Sequence, residues 1–365
     1  MSELRYAFPM DGLIFSNAAG TVQDGKLLIK PKANALPGRN LTVNGVPMDF
    51  AGNYYTVKIP VALTPGVNTL SLADTDTGER INIEVRYLPK VDKKYRISMD
   101  DNIWFLQNLA KNQSVYKSMF EDPYLTLLKT MHDRYGAKFH VNVYYECPEF
   151  GGFNLTEMPD KYKAEWKANS DWLRLSCHAN ANMPDRPYIN ATYNQTYFEF
   201  NRVNEQILRF AGEEAFAEKI TTIHWGEATD DTVRAVRDLG VKALMGSYLW
   251  GSPKNVVIGY NLTAEQCLLA DQYGMYYDKK TDMIFIRYGG GTLQRLALDE
   301  VHDSFTEFAK QRPFYTFREM CLHEQYFYPH YKHYMPDYYE RLETGIRWCI
   351  ENGYEPSFIT EAFEL

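Results

Sequence analysis

The spacing of hydrophobic residues along the chain changes near residue 90. Before it, short segments alternate between apolar and polar positions, as in LTVNGVPMDF, YYTVKIPVAL and INIEVRYL. A period of two residues predicts half-buried β-strands, and turn signals such as Asn44-Gly45 and Pro65-Gly66 separate the segments at the spacing of a β-sandwich. We therefore predict that residues 1–90 form a small all-β sandwich domain, a segment that contains no histidine.

After the charged junction Lys90–Lys94, predicted strands alternate with predicted helices. Apolar segments predict buried strands at YRISMDD, KFHVNVYYE, WLRLSCH, ITTIHW, VKALMGSY, MIFIRY and FREMCLH. Helical periodicity and helix-ending glycines predict helices at Ile103–Leu109, Pro123–Tyr135, Asp160–Asn169, Tyr197–Phe210, Asp230–Leu239 and Pro336–Asn352. This alternation predicts an α/β fold with a parallel sheet or barrel over residues 91–365.

Composition and charge narrow the class of protein. The chain has 365 residues, 45% of them hydrophobic, which is enough for two domains with buried cores. Its net charge of −8 argues against a nucleic-acid partner or an anionic membrane surface. No segment approaches the roughly 18 apolar residues of a membrane span. The five cysteines lack a CxxC pair and the first residues lack a signal-peptide core, so we expect reduced thiols and a cytoplasmic location, or an extracellular one if a leader has been removed.

Acidic and histidine side chains lie at the ends of four of these predicted strands. The first strand ends at Asp100 and Asp101, while His178, His224 and His323 end three others. Because the carboxyl ends of parallel strands meet at one edge of a barrel, we expect these five side chains to converge. Carboxylates and imidazoles are typical ligands of a catalytic metal ion.

Each of these strand ends also has an ordinary structural interpretation. Adjacent acids often cap a helix, and a single strand-end histidine is more often a core residue than a ligand. The coincidence of four such strand ends favours a metal-dependent hydrolase site. The remaining histidines are interpreted as structural or surface residues: His132, His140, His302, His330 and His333.

These residues resemble the motifs of the polysaccharide deacetylase superfamily (NodB-homology, carbohydrate esterase family 4-like). The paired acids Asp100 and Asp101, the strand-end His178 and the pair Leu322-His323 match its first, second and last motifs. The resemblance covers most of residues 91–365 and implies a distorted (β/α) barrel, usually of seven strands. It also implies Asp100 as general base, Asp101 and His178 as metal ligands, and His323 as the general acid that protonates the leaving amine.

The chain departs from this pattern at two motifs. Asn182 stands four residues after His178, where the superfamily has its second metal histidine, and His224-Trp225-Gly226 replaces an Arg-x-Pro-x-Gly motif. Asp101 and His178 alone fall short of the three protein ligands of a catalytic zinc ion. His224 is the best replacement because it also ends a strand, and Asp185 or Glu324 could serve instead.

The resemblance therefore implies a hydrolase that cleaves a C–N amide bond with a divalent metal ion, expected to be zinc, and that removes the acyl group of an amino sugar or glycan. Residues that could contact a carbohydrate substrate are Asp185, Tyr188, Trp225, Glu324 and Tyr326. Two alternatives stay open. One is a carbohydrate-binding protein on a catalytically degraded barrel, and the other is a glycosidase or a non-sugar amidase on the same scaffold.

The N-terminal segment also carries a resemblance. The stretch LTVNGVPMDFAGNYYTVKIPVALTPGVNTLSLADTDTGER resembles small immunoglobulin-like modules of bacterial surface and sugar-processing proteins. This implies a role in packing against the barrel, in presenting substrate or in assembly, and no chemistry of its own.

Overall fold

The computed structural model describes residues 4–149, 151–248, 259–289 and 291–365. Short β-strands occupy the first ninety residues. Their bounds are Arg5–Phe8 (β1), Ile14–Phe15 (β2), Thr21–Gln23 (β3), Lys26–Ile29 (β4), Lys32–Asn34 (β5), Leu41–Val43 (β6), Val46–Phe50 (β7), Tyr55–Val57 (β8), Val61–Leu63 (β9), Gly66–Asp74 (β10) and Arg80–Tyr87 (β11).

These strands form two sheets that share one hydrophobic cluster. The larger sheet has the order β1-β5-β8-β7-β6-β10-β11-β2, antiparallel except for the β11–β2 pair, and the smaller has the order β3-β4-β9. The alternating pattern of β10 buries Leu70 and Leu72 in that cluster, together with Leu27 of the smaller sheet. Asn44 and Gly45 join β6 to β7 with φ angles of 50° and 79°, as a two-residue hairpin turn requires.

The rest of the chain alternates between strands and helices. Its strands are Lys94–Asn102 (β12), Phe139–Tyr144 (β13), Glu146–Cys147 (β14), Phe153–Asn154 (β15), Leu173–Ala179 (β16), Ile220–Thr221 (β17), Ala243–Gly246 (β18), Met275–Asp278 (β19), Met283–Arg287 (β20), Gly291–Thr292 (β21), Arg318–His323 (β22) and Glu355–Pro356 (β23). Its α-helices are Trp104–Lys111 (α1), Pro123–Tyr135 (α2), Lys163–Ala168 (α3), Tyr193–Phe210 (α4), Asp230–Asp238 (α5), Ala264–Tyr273 (α6), Val301–Gln311 (α7), Tyr338–Glu351 (α8) and Ile359–Ala362 (α9).

Two sheets of mostly parallel strands curve into a distorted barrel. One has the order β16-β13-β12-β22-β21, with β23 paired to the start of β12, and the other has the order β17-β18-β20-β19. Every pair is parallel except β19–β20. Strand β13 is buried along its whole length, as expected for a strand covered on both faces. All seven strands predicted from apolar segments are present, and β19 is an antiparallel addition that the sequence pattern did not predict.

The barrel has a seam on each side where the two sheets meet. At one seam Leu175 of β16 exchanges backbone hydrogen bonds with Ala215 and Ala217, both 2.8 Å long, just before β17. At the other seam the Tyr315 hydroxyl, just before β22, donates to the carbonyl of Arg287 at the end of β20. The two sheets are therefore linked on both sides, through edge strands at the first seam and through a side chain between interior strands at the second. The carboxyl ends of their parallel strands line one cavity.

Local capping explains where the predicted helices begin and end. The Asp122 side chain accepts the amide hydrogens of the first turn of α2, Pro123 follows it, and Gly136 ends the helix with φ of 66°. Helix α2 has the predicted bounds. Helices α1, α3, α4, α5 and α8 differ from the prediction by one to four residues at one or both ends, and α6, α7 and the short α9 were not predicted.

The segment around residue 14 packs the N-terminal strands against the barrel. Backbone atoms of Gly12 and Tyr277 form a 2.8 Å hydrogen bond, and Leu13 forms an isolated antiparallel bridge with Tyr276. Ile14 is buried in a hydrophobic cluster with barrel residues that include Ile284. Within the described ranges, no helix has the length and apolar character needed to cross a membrane.

Candidate metal centre

The end of β12 turns two adjacent carboxylates into the barrel opening. The register between β12 and β13 shifts between Met99 and Asn102, and Asp101 has a φ of 61°, which a non-glycine residue adopts rarely. Neighbouring residues of a regular strand point to opposite faces, so this irregular backbone is what brings Asp100 and Asp101 to the same cavity. Backbone strain of this kind is concentrated at functional sites.

Asp101, His178 and His224 form a compact group of donor atoms. Asp101 Oδ1 lies 3.0 Å from His178 Nε2 and 3.2 Å from His224 Nδ1, and the two ring nitrogens are 3.1 Å apart. Two ligands that each lie about 2.1 Å from one ion and are separated by about 95° are about 3.1 Å apart. The three donors therefore have the mutual spacing of neighbouring ligands on one metal ion, and all three side chains are buried.

Surrounding groups hold these side chains in place. His178 Nδ1 contacts the carbonyl of Thr222, which orients Nε2 toward Asp101. The Tyr144 hydroxyl donates to Asp101 and lies 3.1 Å from His224 Nδ1. His224 itself lies in a short 3-10 turn, His224–Gly226, after the two-residue strand β17, rather than on the long strand that ITTIHW predicted.

The electrostatics of this group favour an ionised carboxylate. Burial would raise the pKa of Asp101, but the neighbouring His323 and the hydrogen bonds from His178 and His224 hold it well below its usual range. Burial likewise would lower the pKa of His178, whereas its hydrogen bond to Asp101 and the charges of both acids raise it. The site is therefore a concentrated negative charge balanced by imidazoles, as expected of a cation site.

Asp100 lies beside this group and is held by a separate set of donors. Its Oδ1 accepts hydrogen bonds from Ser98 Oγ at 2.7 Å and from Asn142 Nδ2 at 2.6 Å, and its Oδ2 lies 3.2 Å from Cys321 Sγ. Burial opposes its ionisation, but the charges of His178 and His323 and these hydrogen bonds lower its pKa. Asp100 is consequently a carboxylate at neutral pH.

His323 lies beside this acid, with a ring nitrogen within 4.8 Å of an Asp100 carboxylate oxygen. It pairs in register with Asp100 on the neighbouring strand, and its Nε2 is 3.8 Å from Asp101 Oδ2. Its Nδ1 contacts the side-chain amide of Gln294. His323 is partly exposed to the cavity, so a group bound there could exchange a proton with it.

These side chains line a cavity of about 540 Å³ at the carboxyl ends of the strands. Of the residues predicted to contact a carbohydrate, Asp185, Trp225 and Tyr326 also line it. Trp225 is 40% exposed and has a φ of 67°. Asn182, at the position of the expected second metal histidine, lines the cavity too, with its backbone carbonyl 3.3 Å from His224 Nε2.

The structure does not bring Tyr188 and Glu324 to this cavity. Tyr188 is fully buried, and its hydroxyl contacts the backbone nitrogen of Asn180 and the Glu199 carboxylate. Glu324 is also fully buried, and its carboxylate is bonded to the start of α1 rather than lining the cavity. Neither side chain is positioned to contact a substrate in the cavity, and Glu324 is not a candidate for the third metal ligand.

Glu324 instead caps α1. Its carboxylate accepts the backbone N–H groups of Ile103, Trp104 and Phe105 at 2.7, 3.0 and 2.6 Å, and the Tyr328 hydroxyl at 3.0 Å. The backbone turns at this point because residues Glu324–Phe327 form a 3-10 helix directly after β22. Glu324 therefore follows His323 in the sequence, but its carboxylate caps α1 while His323 lines the cavity.

Several residues of the site escaped the sequence analysis. The Tyr144 hydroxyl contacts Asp101, and the Gln294 amide contacts His323. Asp100 is contacted by Asn142 and Cys321. Asn142 is part of a buried polar chain below Asp100, in which the Ser176 hydroxyl connects it to His140. Strand alternation could have identified two of them, because Asn142 and Tyr144 are two residues apart on β13 and therefore lie on the same face of the sheet.

No protein-family model matches the chain, and no curated protein matches it. Among solved structures, it is similar to the Xyl-CE4 domain of a multidomain xylanase from the hindgut metagenome of Trinervitermes trinervoides, with 12% identity, coverage of 75% of this chain and 90% of that chain, and a TM-score of 0.37. It is also similar to a Streptococcus mutans CE4 esterase, with 11% identity, coverage of 73% of this chain and 85% of that chain, and a TM-score of 0.38. With the 4-alpha-glucanotransferase from Thermococcus litoralis it shares 10% identity, with coverage of 74% of this chain and 39% of that chain and a TM-score of 0.45. Each TM-score is below 0.5, so these similarities establish neither the fold nor the function of this chain.

Proposed function

We propose that the chain is a metal-dependent hydrolase that cleaves a C–N amide bond and removes the acyl group of an amino sugar or glycan. The observation that carries the proposal is the group of Asp101, His178 and His224, with donor atoms 3.0 to 3.2 Å apart, in one cavity with Asp100 and His323. An ionised acid and an imidazole next to a metal site are the groups that amide hydrolysis needs.

Asp101, His178 and His224 would hold the ion, and zinc fits a set of one carboxylate and two imidazoles. Such an ion, when bound, polarises an acyl carbonyl and lowers the pKa of water. The Thr222 carbonyl orients His178, and the Tyr144 hydroxyl orients Asp101, so that both ligands face inward before any ion arrives. Asn182 contributes no imidazole, and His224 takes the place of the expected histidine.

Asp100 and His323 would move the protons. Asp100 is ionised and rigidly hydrogen-bonded, so it can accept the proton of the attacking water. His323 opposes it on the adjacent strand and can give a proton to the departing nitrogen. Without that proton the nitrogen would leave as an amide anion, which is a very poor leaving group, so loss of His323 should slow cleavage more than it weakens substrate binding.

The walls of the cavity support a carbohydrate substrate. The exposed ring of Trp225 and the ring of Tyr326 can pack on the apolar faces of a sugar, while Asp185 can accept hydrogen bonds from its hydroxyls. Tyr326 packs edge-on at 6.2 Å from the His323 ring, which places one such surface next to the proton donor. We further propose that residues 1–90 form an immunoglobulin-like module that supports the barrel of residues 91–365 and takes no part in the chemistry.

Metal content and turnover on defined substrates test the proposal together. We expect stoichiometric zinc after reconstitution, its loss in Asp101→Ala, His178→Ala and His224→Ala, and its retention in the control His302→Ala, whose side chain lies on the surface helix α7. Release of acetate from N-acetylated sugar oligomers should follow metal content.

Three outcomes would contradict the proposal. Sugar binding without metal and without turnover would favour the carbohydrate-binding alternative. Metal-independent release of reducing sugars would favour a glycosidase. Metal-dependent cleavage of acylated amines that lack a sugar, with no cleavage of amino sugars, would favour a non-sugar amidase.

A further inference from the structure

Two basic side chains line the cavity and have no part in the proposed proton transfers or metal binding. Arg295 and Lys332 are both exposed at its surface. Within the described ranges, neither of them has an acidic side chain as a salt-bridge partner. They occupy this position in a chain whose net charge is −8. Unpaired basic side chains that line one cavity are suited to attract and bind an anion.

Both cations are presented by turns that follow barrel strands. Arg295 ends the 3-10 turn directly after β21, and the first residue of that turn, Leu293, is buried in the barrel core. Lys332 lies on the segment after β22, inside a turn closed by a 3.0 Å hydrogen bond from the backbone amide of Tyr334 to the carbonyl of Tyr331. The backbone therefore holds both side chains at defined positions on the cavity wall.

The exposed acid and the basic residues of the cavity come from opposite ends of one sheet. Strands β21 and β22, which precede Arg295 and Lys332, are neighbours at one end of this sheet, whereas β16 lies at its other end. Asp185, an exposed acid of the cavity wall, follows β16. The lining acids Asp100 and Asp101 are buried and already bound by hydrogen-bond donors. An anionic group of a ligand would therefore bind at the side of Arg295 and Lys332.

We propose that Arg295 and Lys332 bind an anionic substituent of the substrate, so that the protein favours an N-acyl amino sugar that carries a carboxylate or phosphate group over a neutral one. This inference rests on the proposed amide hydrolysis. A guanidinium group presents paired N–H donors to a carboxylate or phosphate, and a lysine adds a further charge-assisted donor. His323, which would protonate the leaving nitrogen, ends β22, the strand that Lys332 follows. The anionic group therefore belongs to the sugar, which keeps the nitrogen, rather than to the acyl group.

Tyr326 connects the basic side chains with the proton donor. Its ring lies 6.2 Å from the ring of His323 and 6.4 Å from that of His333, which follows Lys332 and also lines the cavity. Burial raises the pKa of the Tyr326 hydroxyl, and the nearby charge of Arg295 opposes this rise. A sugar ring packed on Tyr326 would thus present its nitrogen to His323 and a charged substituent to the basic pair.

Kinetics of the zinc-loaded full-length protein on matched sugars test the preference. The substrates are N-acetylglucosamine, its 6-phosphate and N-acetylmuramic acid, which carries a carboxylate. We expect KM to be about tenfold lower for at least one charged sugar than for the neutral one. Arg295→Gln and Lys332→Gln should each raise KM for that sugar about tenfold, with kcat and the neutral sugar little affected. The matched control Lys310→Gln, which removes an exposed charge from α7, should change none of these values.

The charged sugar that is preferred identifies the group that is bound. A preference for N-acetylmuramic acid assigns a carboxylate, a preference for the 6-phosphate assigns a phosphate, and a preference for both supports binding of either anion. Equal KM values for neutral and charged sugars in the wild-type protein would overturn the inference. A preference that survives in the double variant Arg295→Gln/Lys332→Gln would do so as well.

Binding of the deacylated products separates this inference from the proposed hydrolysis. Glucosamine, glucosamine 6-phosphate and muramic acid cannot be deacylated, so calorimetry measures their affinity even if no acetate release is found. Tighter binding of a charged product, lost in Arg295→Gln and Lys332→Gln, supports the anion site without any turnover. Equal hydrolysis of neutral and charged sugars refutes the anion site and leaves the proposed function standing. Because an anion can also bind a metal ion directly, the preference should persist in His178→Ala, and its loss there would contradict the assignment to Arg295 and Lys332.

Discussion

Glu324 connects the ends of the two strands that carry Asp101 and His323. The carboxylate follows β22 directly and accepts three backbone N–H groups at the start of α1, the helix that follows β12. These N–H groups have no partner within the helix, and they carry the positive end of its dipole. Glu324→Gln keeps the size of the side chain and removes both the charge and one acceptor oxygen.

The cost of Glu324→Gln can be worked out from the contacts. The remaining oxygen can still serve Ile103 and Trp104, but the new NH₂ group faces the N–H of Phe105, and this buried donor loses its partner at about 1–3 kcal/mol. The two surviving hydrogen bonds lose their charge assistance, at about 1 kcal/mol each, at pH 8 or above, where the carboxyl of Glu324 is ionised although burial raises its pKa to about 7. We expect a total loss of about 3–5 kcal/mol, or a fall in Tm of roughly 4–7 °C for a chain of this size.

Thermal unfolding monitored by circular dichroism provides the assay. The matched control is Glu340→Gln, an exposed glutamate in the first turn of α8, for which we expect a shift of about 1 °C or less. Zinc affinity should fall in Glu324→Gln as well, because Asp101 lies only two residues before the first capped amide. Equal melting temperatures for the two variants would refute the view that this carboxylate holds the strand ends together.

Three further changes probe the interior. His140 is buried and uncharged, because burial and the charges of two arginines hold its pKa well below 6.5. In the unfolded chain this histidine gains a proton below pH 6.5, so the free energy of unfolding should fall by about 2 kcal/mol between pH 6.5 and 5. Urea unfolding measures this fall, which should be smaller in His140→Gln. Gly274→Ala should cost about 2–4 kcal/mol in the same assay, because its φ is 82° and its Cβ would overlap a buried tyrosine ring, whereas Gly136→Ala, with φ of 66° and open space, should cost about 1 kcal/mol. Asn142→Ala removes a hydrogen bond to the ionised form of Asp100 and so raises its pKa; the acid limb of kcat/KM should move to higher pH, and an unchanged limb would count against Asp100 as the base.

The alternation of strands and helices was predictable because the barrel strands are apolar runs and most helices carry clear end signals. Helix α6 was missed because its burial follows no clean stripe: Leu268 is 62% exposed and Leu269 beside it is buried, so that its capping residue Thr263 was the main signal. Strand β17 is only two residues long because the chain turns at His224, and an apolar pattern cannot register such a turn.

The grouping of Asp101, His178 and His224 was predictable because the carboxyl ends of parallel strands meet at one opening, although His224 lies in the 3-10 turn that follows β17 rather than on the strand itself. The contacts of Tyr144 and Cys321 could not be predicted from the sequence, because both residues lie within apolar strands, where a tyrosine or cysteine that points inward resembles a core residue. Glu324 shows the converse error. It is adjacent to His323 in the sequence, but the 3-10 turn directs it into the protein, and sequence proximity was mistaken for proximity in space.

The segment 12–14, which ends in the first residue of β2, limits how this chain could be recombined. Tyr277 donates its amide hydrogen to the Gly12 carbonyl, and Ile14 fills part of the cluster that covers β20. A chimera that joined residues 91–365 to a foreign β module would leave that amide unpaired and that surface open to water. A functional exchange of the N-terminal strands would therefore have to include the segment 12–14. We expect residues 1–90 and residues 91–365 to be inherited as one unit.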